Sequence, residues 1–293
     1  MPKFLDSTIA VSGASGHLGR RVVELLRAAG AKHVVAMTRD PSKLSAEAAA
    51  GLDVRAGSFM DPAGLTKALA GVERFLIIST DTIEDRARLH TNAIGAAEQA
   101  GVSHLAYTSL TSPYPDPTNP IADSHFWTEA RLTASPLSWS ILRNNQYADY
   151  LIPGAQHAIA SGQHFHAAST GRRAFVTRED CAAAAVGALL DAEGRRIFDI
   201  GGPEALSDDD LAALYAQLSG RPVVAVNVPA PGLIAGLEQG GVPAGLASVL
   251  ARFDTDTAKG YLGITKGDVE ALTGRAPESV AAFLGRNLTA LAA

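Results

Sequence analysis

Residues Thr8-Ile9-Ala10-Val11-Ser12-Gly13-Ala14-Ser15-Gly16-His17-Leu18-Gly19 decide the fold. A short apolar run enters three glycines at G-x-x-G-x-x-G spacing, and a helical pattern follows at once. Leu18, Val22, Leu26 and Ala29 recur at helical spacing until Gly30 closes the turn. A second apolar run, His33–Thr38, comes next. Strand, glycine turn, helix and strand within one short unit is the context that a dinucleotide-binding turn requires. Gly13 permits the tight turn, Gly16 lets the backbone approach a pyrophosphate, and Gly19 lets helix and strand pack closely. The helix N-terminus then offers free N–H groups to the phosphates. Taken alone, the triplet also fits a glycine-rich turn in an unrelated α/β protein; the flanking pattern favours the dinucleotide reading.

The pattern continues outward. Strands are predicted at 7–12, 33–38, 52–56, 74–79, 103–108, 138–143 and 196–200, with helices at 19–29, 62–70, 84–100 and 124–134. The strands are apolar throughout rather than alternating, as expected for a parallel sheet covered on both faces. The expected class is α/β: a doubly wound parallel Rossmann sheet with a smaller, mostly helical C-terminal substrate domain. The predicted boundaries are 1–145 plus about 162–202 for the cofactor domain, and about 146–161 plus 203–293 for the smaller one. In the latter, Ser207 followed by three aspartates reads as a helix start, Pro222–Pro229 as a short strand, and 230–260 as interrupted helix. Four prolines between Ser112 and Pro120 predict an extended loop after strand five, at the edge where such folds bind ligands or as a plain surface loop.

Bulk composition excludes several classes. The chain has 293 residues, is 47% hydrophobic and carries a net charge of −5. That supports a normal core and argues against nucleic-acid binding. A single cysteine, Cys181, precludes an internal disulfide and a cysteine metal cluster; it reads as a buried small hydrophobe. No apolar run reaches transmembrane length and no signal peptide precedes strand one, so a soluble cytoplasmic chain without membrane contact is the default. His164 and His166 lack a nearby acid cluster and read as surface or pocket-rim residues rather than metal ligands, and no metal is expected.

The end of strand two discriminates between cofactors. A carboxylate there bonds a ribose hydroxyl, whereas an arginine accommodates a 2′-phosphate. The chain reads Thr38-Arg39-Asp40-Pro41-Ser42-Lys43. Arg39 and Lys43 favour NADP (NADPH) over NAD. Asp40 either pairs with Arg39 or caps the next helix.

A Tyr-x-x-x-Lys pair would supply a proton donor for reduction of a simple ketone. The residues four beyond the six tyrosines are Thr111, Thr118, Leu151, Gly154, Ser219 and Thr265, so the chain has no such pair. Phe126 and Ala130 stand where the pair is expected. This favours either an activated, conjugated acceptor or no catalysis. His125 is the leading candidate for proton handling or substrate contact, read as opening its helix; a cap or surface role is the plainer alternative. Phe126 is a candidate for stacking on a planar substrate, against ordinary core packing. An α/β-hydrolase is disfavoured because no G-x-S-x-G elbow occurs.

Several segments carry a resemblance: Val11–Gly19, Met37–Lys43, Leu105–Leu110, Ala122–His125 with Thr128-Glu129, Ile141–Asn144, Thr177–Asp180 and Leu272–Pro277. Together, spanning most of the chain, they resemble the NmrA-like atypical short-chain dehydrogenases, nearest the NAD(P)H:quinone oxidoreductase type 2 and triphenylmethane reductase branch. The resemblance implies a Rossmann domain binding NADP, and a small C-terminal domain with substrate in the cleft between the two. It implies that Gly13, Ser15, His17 and Leu18 line the diphosphate, beside Gly16 and Gly19 of the glycine motif. It implies that Arg39, one helical turn before Lys43, meets the 2′-phosphate and that Phe59 meets the adenine. Ser79, Thr80, Thr108 and Ser109 would flank the ribose and nicotinamide. Asn144, Asn145 and Tyr147 would face the substrate. His125, Ser109 and Tyr147 are the catalytic candidates, and Phe126, Asn144 and Asn145 the substrate contacts. Ala130, where the quinone reductases often carry lysine, tilts the likeness toward the triphenylmethane reductases. The implied activity is reduction of a small aromatic or quinone-like substrate by direct hydride transfer from NADPH. The alternative is a non-catalytic NADP-binding sensor of the NmrA type. A homodimer is left open.

Overall fold

The structure, a computed structural model, describes residues 2–265 and 267–291. In chain order the elements begin with β1 (Thr8–Val11), α1 (His17–Ala28), β2 (His33–Thr38), α2 (Ser45–Ala49), β3 (Asp53–Ala56), α3 (Pro62–Ala68) and β4 (Arg74–Ile77). They continue with α4 (Arg86–Ala100), β5 (His104–Leu110), α5 (Pro120–Thr133), β6 (Ser138–Asn144), α6 (Leu151–Ser161), β7 (Gln163–His166) and α7 (Arg178–Asp191). The remainder is β8 (Arg195–Ile200), α8 (Asp208–Ser219), β9 (Val224–Asn227), α9 (Ala230–Gln239), α10 (Ala244–Ala258), α11 (Asp268–Thr273), α12 (Val280–Arg286) and α13 (Leu288–Leu291). Among the described residues, no helix is long and apolar enough to cross a membrane.

The chain forms two compact units. The first comprises Met1–Asn144, Glu179–Ile200 and Asp268–Arg275. It contains a seven-stranded sheet in the order β3-β2-β1-β4-β5-β6-β8, parallel at every pairing. The strand order reverses between β1 and β4, which marks the switch point of a doubly wound fold. Alternate strand residues serve the two faces. Ala10, Val35, Met37, Phe75, Ile77, Leu105, Tyr107, Trp139 and Ile141 join one core with Leu65, Ile94 and Leu132 from the α3, α4 and α5 side. Val11, Ala36, Leu76 and Leu142 are buried on the other face. Every predicted strand of this sheet is present.

The second unit comprises Asn145–Arg178, Gly201–Gly267 and Ala276–Ala293. Its core joins Ala155 and Ile159 of α6, Leu211 and Tyr215 of α8, and Phe283 and Leu284 of α12. Two boundaries differ from the sequence reading. Residues 162–178 belong here, because β7, an element the sequence reading did not contain, pairs in parallel with β9. Residues 268–275 belong to the first unit, where the Asp268 carboxylate accepts from the Asp199 amide at 2.7 Å. A Cβ on Gly187 of α7 would collide with the Leu272 backbone, so α11 packs closely there.

Candidate active site

The glycine turn is built as its spacing predicts. Gly13 takes φ +62°, a conformation that side chains disfavour. The Ala14 amide donates to the Met37 carbonyl at 3.0 Å, and the Gly16 amide to the Gly13 carbonyl at 2.9 Å. The two hydroxyls of Ser15 and Thr38 lie 2.9 Å apart, tying the turn to the end of β2. Gly16 is the N-cap of α1, with no side-chain cap and no acid in the first turn. The opening N–H groups of His17, Leu18 and Gly19 therefore meet no side-chain carboxylate, and the positive end of the helix dipole is left for an anion. This cradle fits a dinucleotide diphosphate.

Arg39 and Lys43 are exposed just beyond β2. Among the described residues Arg39 makes no hydrogen bond or ion pair, so its fork is free for a phosphate. Asp40 caps the short helical turn at Pro41–Leu44, accepting from the Ser42 amide at 3.1 Å and the Ser42 hydroxyl at 2.6 Å. Those bonds hold its carboxyl below the usual range. Of the two roles read for Asp40, the cap is the one present. Phe59 is half-buried against the first-unit core, its carbonyl accepting from Asn92 Nδ2 at 2.9 Å.

At the C-terminal ends of β4 and β5 the Ser79 amide donates to Thr108 Oγ1 at 2.9 Å. The Thr80 amide donates to His90 Nε2 at 3.1 Å, and the Thr80 carbonyl accepts from Arg86 Nε at 2.9 Å. His90 Nδ1 lies 3.0 Å from Thr128 Oγ1 and 3.3 Å from Tyr107 Oη. Tyr107 Oη lies 2.6 Å from His125 Nδ1. Burial pushes His90 down to about 3 and His125 well below its ordinary value, with the charge of Arg86 adding to both. Burial likewise raises Tyr107. Both imidazoles are neutral at physiological pH.

His125 does not open its helix. Asn119 caps α5 by accepting from the Ala122 amide, and Pro120 fits the first helical position because no N–H is needed there. The helix thus starts at the last of the four prolines, and His125 falls in its second turn, buried. Ser109 is engaged as well: its hydroxyl donates to Glu129 Oε1 at 2.7 Å, and Arg143 closes on the same carboxylate through Nε at 3.0 Å and a terminal nitrogen at 2.7 Å. The sequence reading missed His90, Tyr107 and Arg86. The only signal for them was two polar rings at core-facing positions of an apolar strand and helix.

Phe126 is half-buried and edge-on to Trp127, which is 53% exposed and bonds Asp123 through Nε1. Asn144 ends β6 in the first unit, buried, with its carbonyl accepting from the Thr111 amide. Asn145 and Tyr147 belong to the second unit. There Asn145 Nδ2 donates to the Leu262 carbonyl at 3.0 Å. Tyr147 stacks on Tyr150, and the Arg178 guanidinium lies over both rings.

His164 is half-buried, and neither it nor His166 is an open surface residue. His166 is buried, and both face the Asp208 carboxylate, at 2.9 Å and 3.5 Å. Arg173 bonds Asp208 with one terminal nitrogen and Asp254 with the other. No group of three or more metal-ligating side chains forms among the described residues. Cys181 is buried, as expected.

A family model described as NAD(P)H-binding matches residues 13–192, from the first glycine of the turn to the end of α7. The chain belongs to the NAD(P)H-binding, NmrA-like family. Within that family it is similar to quinone oxidoreductase 2 of Escherichia coli, with 39% identity over 87% of this chain and 89% of the relative. A crystal structure described as the NADPH-dependent quinone oxidoreductase of that organism complexed with NADPH superposes with a TM-score of 0.89 at 36% identity, covering 98% of this chain and all of that one. Triphenylmethane reductase of Citrobacter gives a TM-score of 0.88 at 30% identity, covering 96% and 99%.

Proposed function

We propose that this oxidoreductase is an NADPH-dependent reductase of quinone-like or other conjugated, electron-poor acceptors, with hydride passing directly to the acceptor. The bound nicotinamide supplies the hydride. Gly13 to Gly19 hold the diphosphate by backbone N–H groups, and Arg39 with Lys43 holds the 2′-phosphate. Ser79, Thr80 and Thr108 form the strand-end ledge for ribose and nicotinamide. The relatives' reductase activities support the reading.

The observation that carries it is that the sequence holds no Tyr-x-x-x-Lys pair. Phe126 is half-buried and Ala130 exposed where tyrosine and lysine would stand, and Ser109 is spent on Glu129. A ketone reduced here would leave an alkoxide with no strong donor. A quinone spreads the new charge over its ring, and a cationic dye loses its charge on receiving hydride. His125 serves as a neutral hydrogen-bond donor to such an acceptor. The test is NADPH oxidation with a panel of quinones and cationic triphenylmethane dyes beside simple ketones. Turnover on the conjugated acceptors and none on the ketones is expected. Tight NADPH binding with no turnover on any acceptor overturns the reading in favour of an NADP sensor.

A further inference from the structure

We infer that His90 and Tyr107 are positioning residues that fix His125 in a single neutral tautomer, with its proton on Nε2. The inference rests on the reading of His125 as the group that meets the acceptor, and it identifies what sets that group's proton.

The direction of the chain is imposed by a backbone amide. The Thr80 N–H can only donate, and it points at His90 Nε2 from 3.1 Å. His90 is neutral, so its one proton sits on Nδ1. Thr128 Oγ1, 3.0 Å from Nδ1, is fit to receive it, because its own hydroxyl proton goes to the Ser124 carbonyl at 2.7 Å. Tyr107 Oη lies 3.3 Å from the same Nδ1 and cannot donate to a nitrogen already bearing hydrogen. Of its other two neighbours, Thr128 Oγ1 already takes the His90 proton, and the Tyr107 hydroxyl proton turns to His125 Nδ1, at 2.6 Å. His125 Nδ1 accepts, and the proton of the neutral ring is left on Nε2. The opposite arrangement would turn the Tyr107 O–H onto Thr128 Oγ1, which already takes the His90 Nδ1 proton, in a fully buried site.

The five members come from four places in the chain: Thr80 from the segment after β4, His90 from α4, Tyr107 from β5, and Thr128 and His125 both from α5. All lie in the first unit. Among the described residues no hydrogen bond to His125 Nε2 is present, and His125 is 5% exposed. In this reading the Nε2–H of His125 is the donor offered to the acceptor. Tyr107 and His90 act through His125 and do not touch the acceptor.

The test is long-range proton–nitrogen NMR on the full chain labelled at histidine nitrogens, with NADP⁺ bound. The expected spectrum shows His90 protonated at Nδ1 and His125 at Nε2. A His125 protonated at Nδ1, doubly protonated, or averaging between tautomers in the unaltered chain overturns the inference without any variant having to fold. In Tyr107→Phe, which keeps the ring, His125 is expected to average between tautomers. Its kcat with a quinone is expected to fall on the order of tenfold while KM for NADPH holds. A folded Tyr107→Phe chain with an unchanged His125 spectrum and unchanged kcat also overturns it. Absence of turnover in the unaltered chain bears on the proposed activity instead, and leaves the tautomer result standing by itself.

Discussion

Gly13 and Gly19 face each other with no room between them: a Cβ on Gly19 would lie 2.7 Å from the Gly13 carbonyl carbon and 2.9 Å from the Ala14 Cα. Both obstacles are backbone, so neither rotates away. Gly19→Ala must push α1 off the turn that holds the diphosphate. Overpacking of this kind costs roughly 1–3 kcal/mol. A lowered unfolding midpoint together with at least about tenfold weaker NADPH binding is expected, since the N–H cradle and the packing share the same atoms. Calorimetry on the purified variant checks both. An unchanged affinity would show that the turn does not hold the cofactor.

Arg39 bears on the choice of cofactor. Its side chain is exposed and unbonded beside the end of β2, and Asp40 is occupied by Ser42. Arg39→Ala should raise KM for NADPH about ten- to a hundredfold, the worth of a charge-assisted bond to phosphate. KM for NADH should change little. Equal losses with both cofactors would remove the arginine from the 2′-phosphate.

Acid should destabilise the fold before most carboxylates titrate. His90 and His104 are held neutral, titrating near 3, because burial disfavours their charged forms; the ordinary value is 6.5. Between those values the unfolded chain binds more protons than the folded one, so stability is full above about pH 6.5 and falls as the pH drops toward 3. At about pH 5 the loss is on the order of 2 kcal/mol for each histidine. Urea unfolding at neutral and acid pH measures it. His104→Gln should flatten the slope, and a wild-type midpoint that does not move on acidification would contradict the buried neutral rings.

Asp208 anchors the second unit. Burial works against its ionisation, yet the hydrogen bond from His164 and the charge of Arg173 bring it to about 2. Arg173 is only 6% exposed, so Asp208→Asn leaves a buried guanidinium with Asp254 as its remaining acid. Removing one partner of a buried pair costs roughly 3–5 kcal/mol. Denaturant unfolding should show a loss of that size; a change under about 1 kcal/mol would mean the network is solvated.

The sheet was legible because its strands are short apolar runs covered on both faces, such as Phe75–Ile77 and Leu105–Tyr107. The turn was legible because each glycine answers a separate steric demand. β7 was not: Gln163–His166 has no apolar pattern, and it exists through pairing with β9 far along the chain. The position of His125 was misread because Pro120 looks like a breaker in a proline-rich loop, although the same residue opens a helix once Asn119 caps it. The His90–Tyr107–His125 chain was invisible for a different reason. Its hydrogen bonds join three elements whose spacing in sequence bears no relation to their spacing in the folded unit. The same holds for Arg173, Asp208 and Asp254.

The most direct measurement is anaerobic stopped-flow oxidation of NADPH by a quinone, with no added flavin, comparing protiated cofactor with cofactor deuterated at the transferred position. Direct hydride transfer predicts one NADPH consumed per quinone and a primary isotope effect on the fast phase. NADPH that binds tightly and is not consumed by any conjugated acceptor would contradict it.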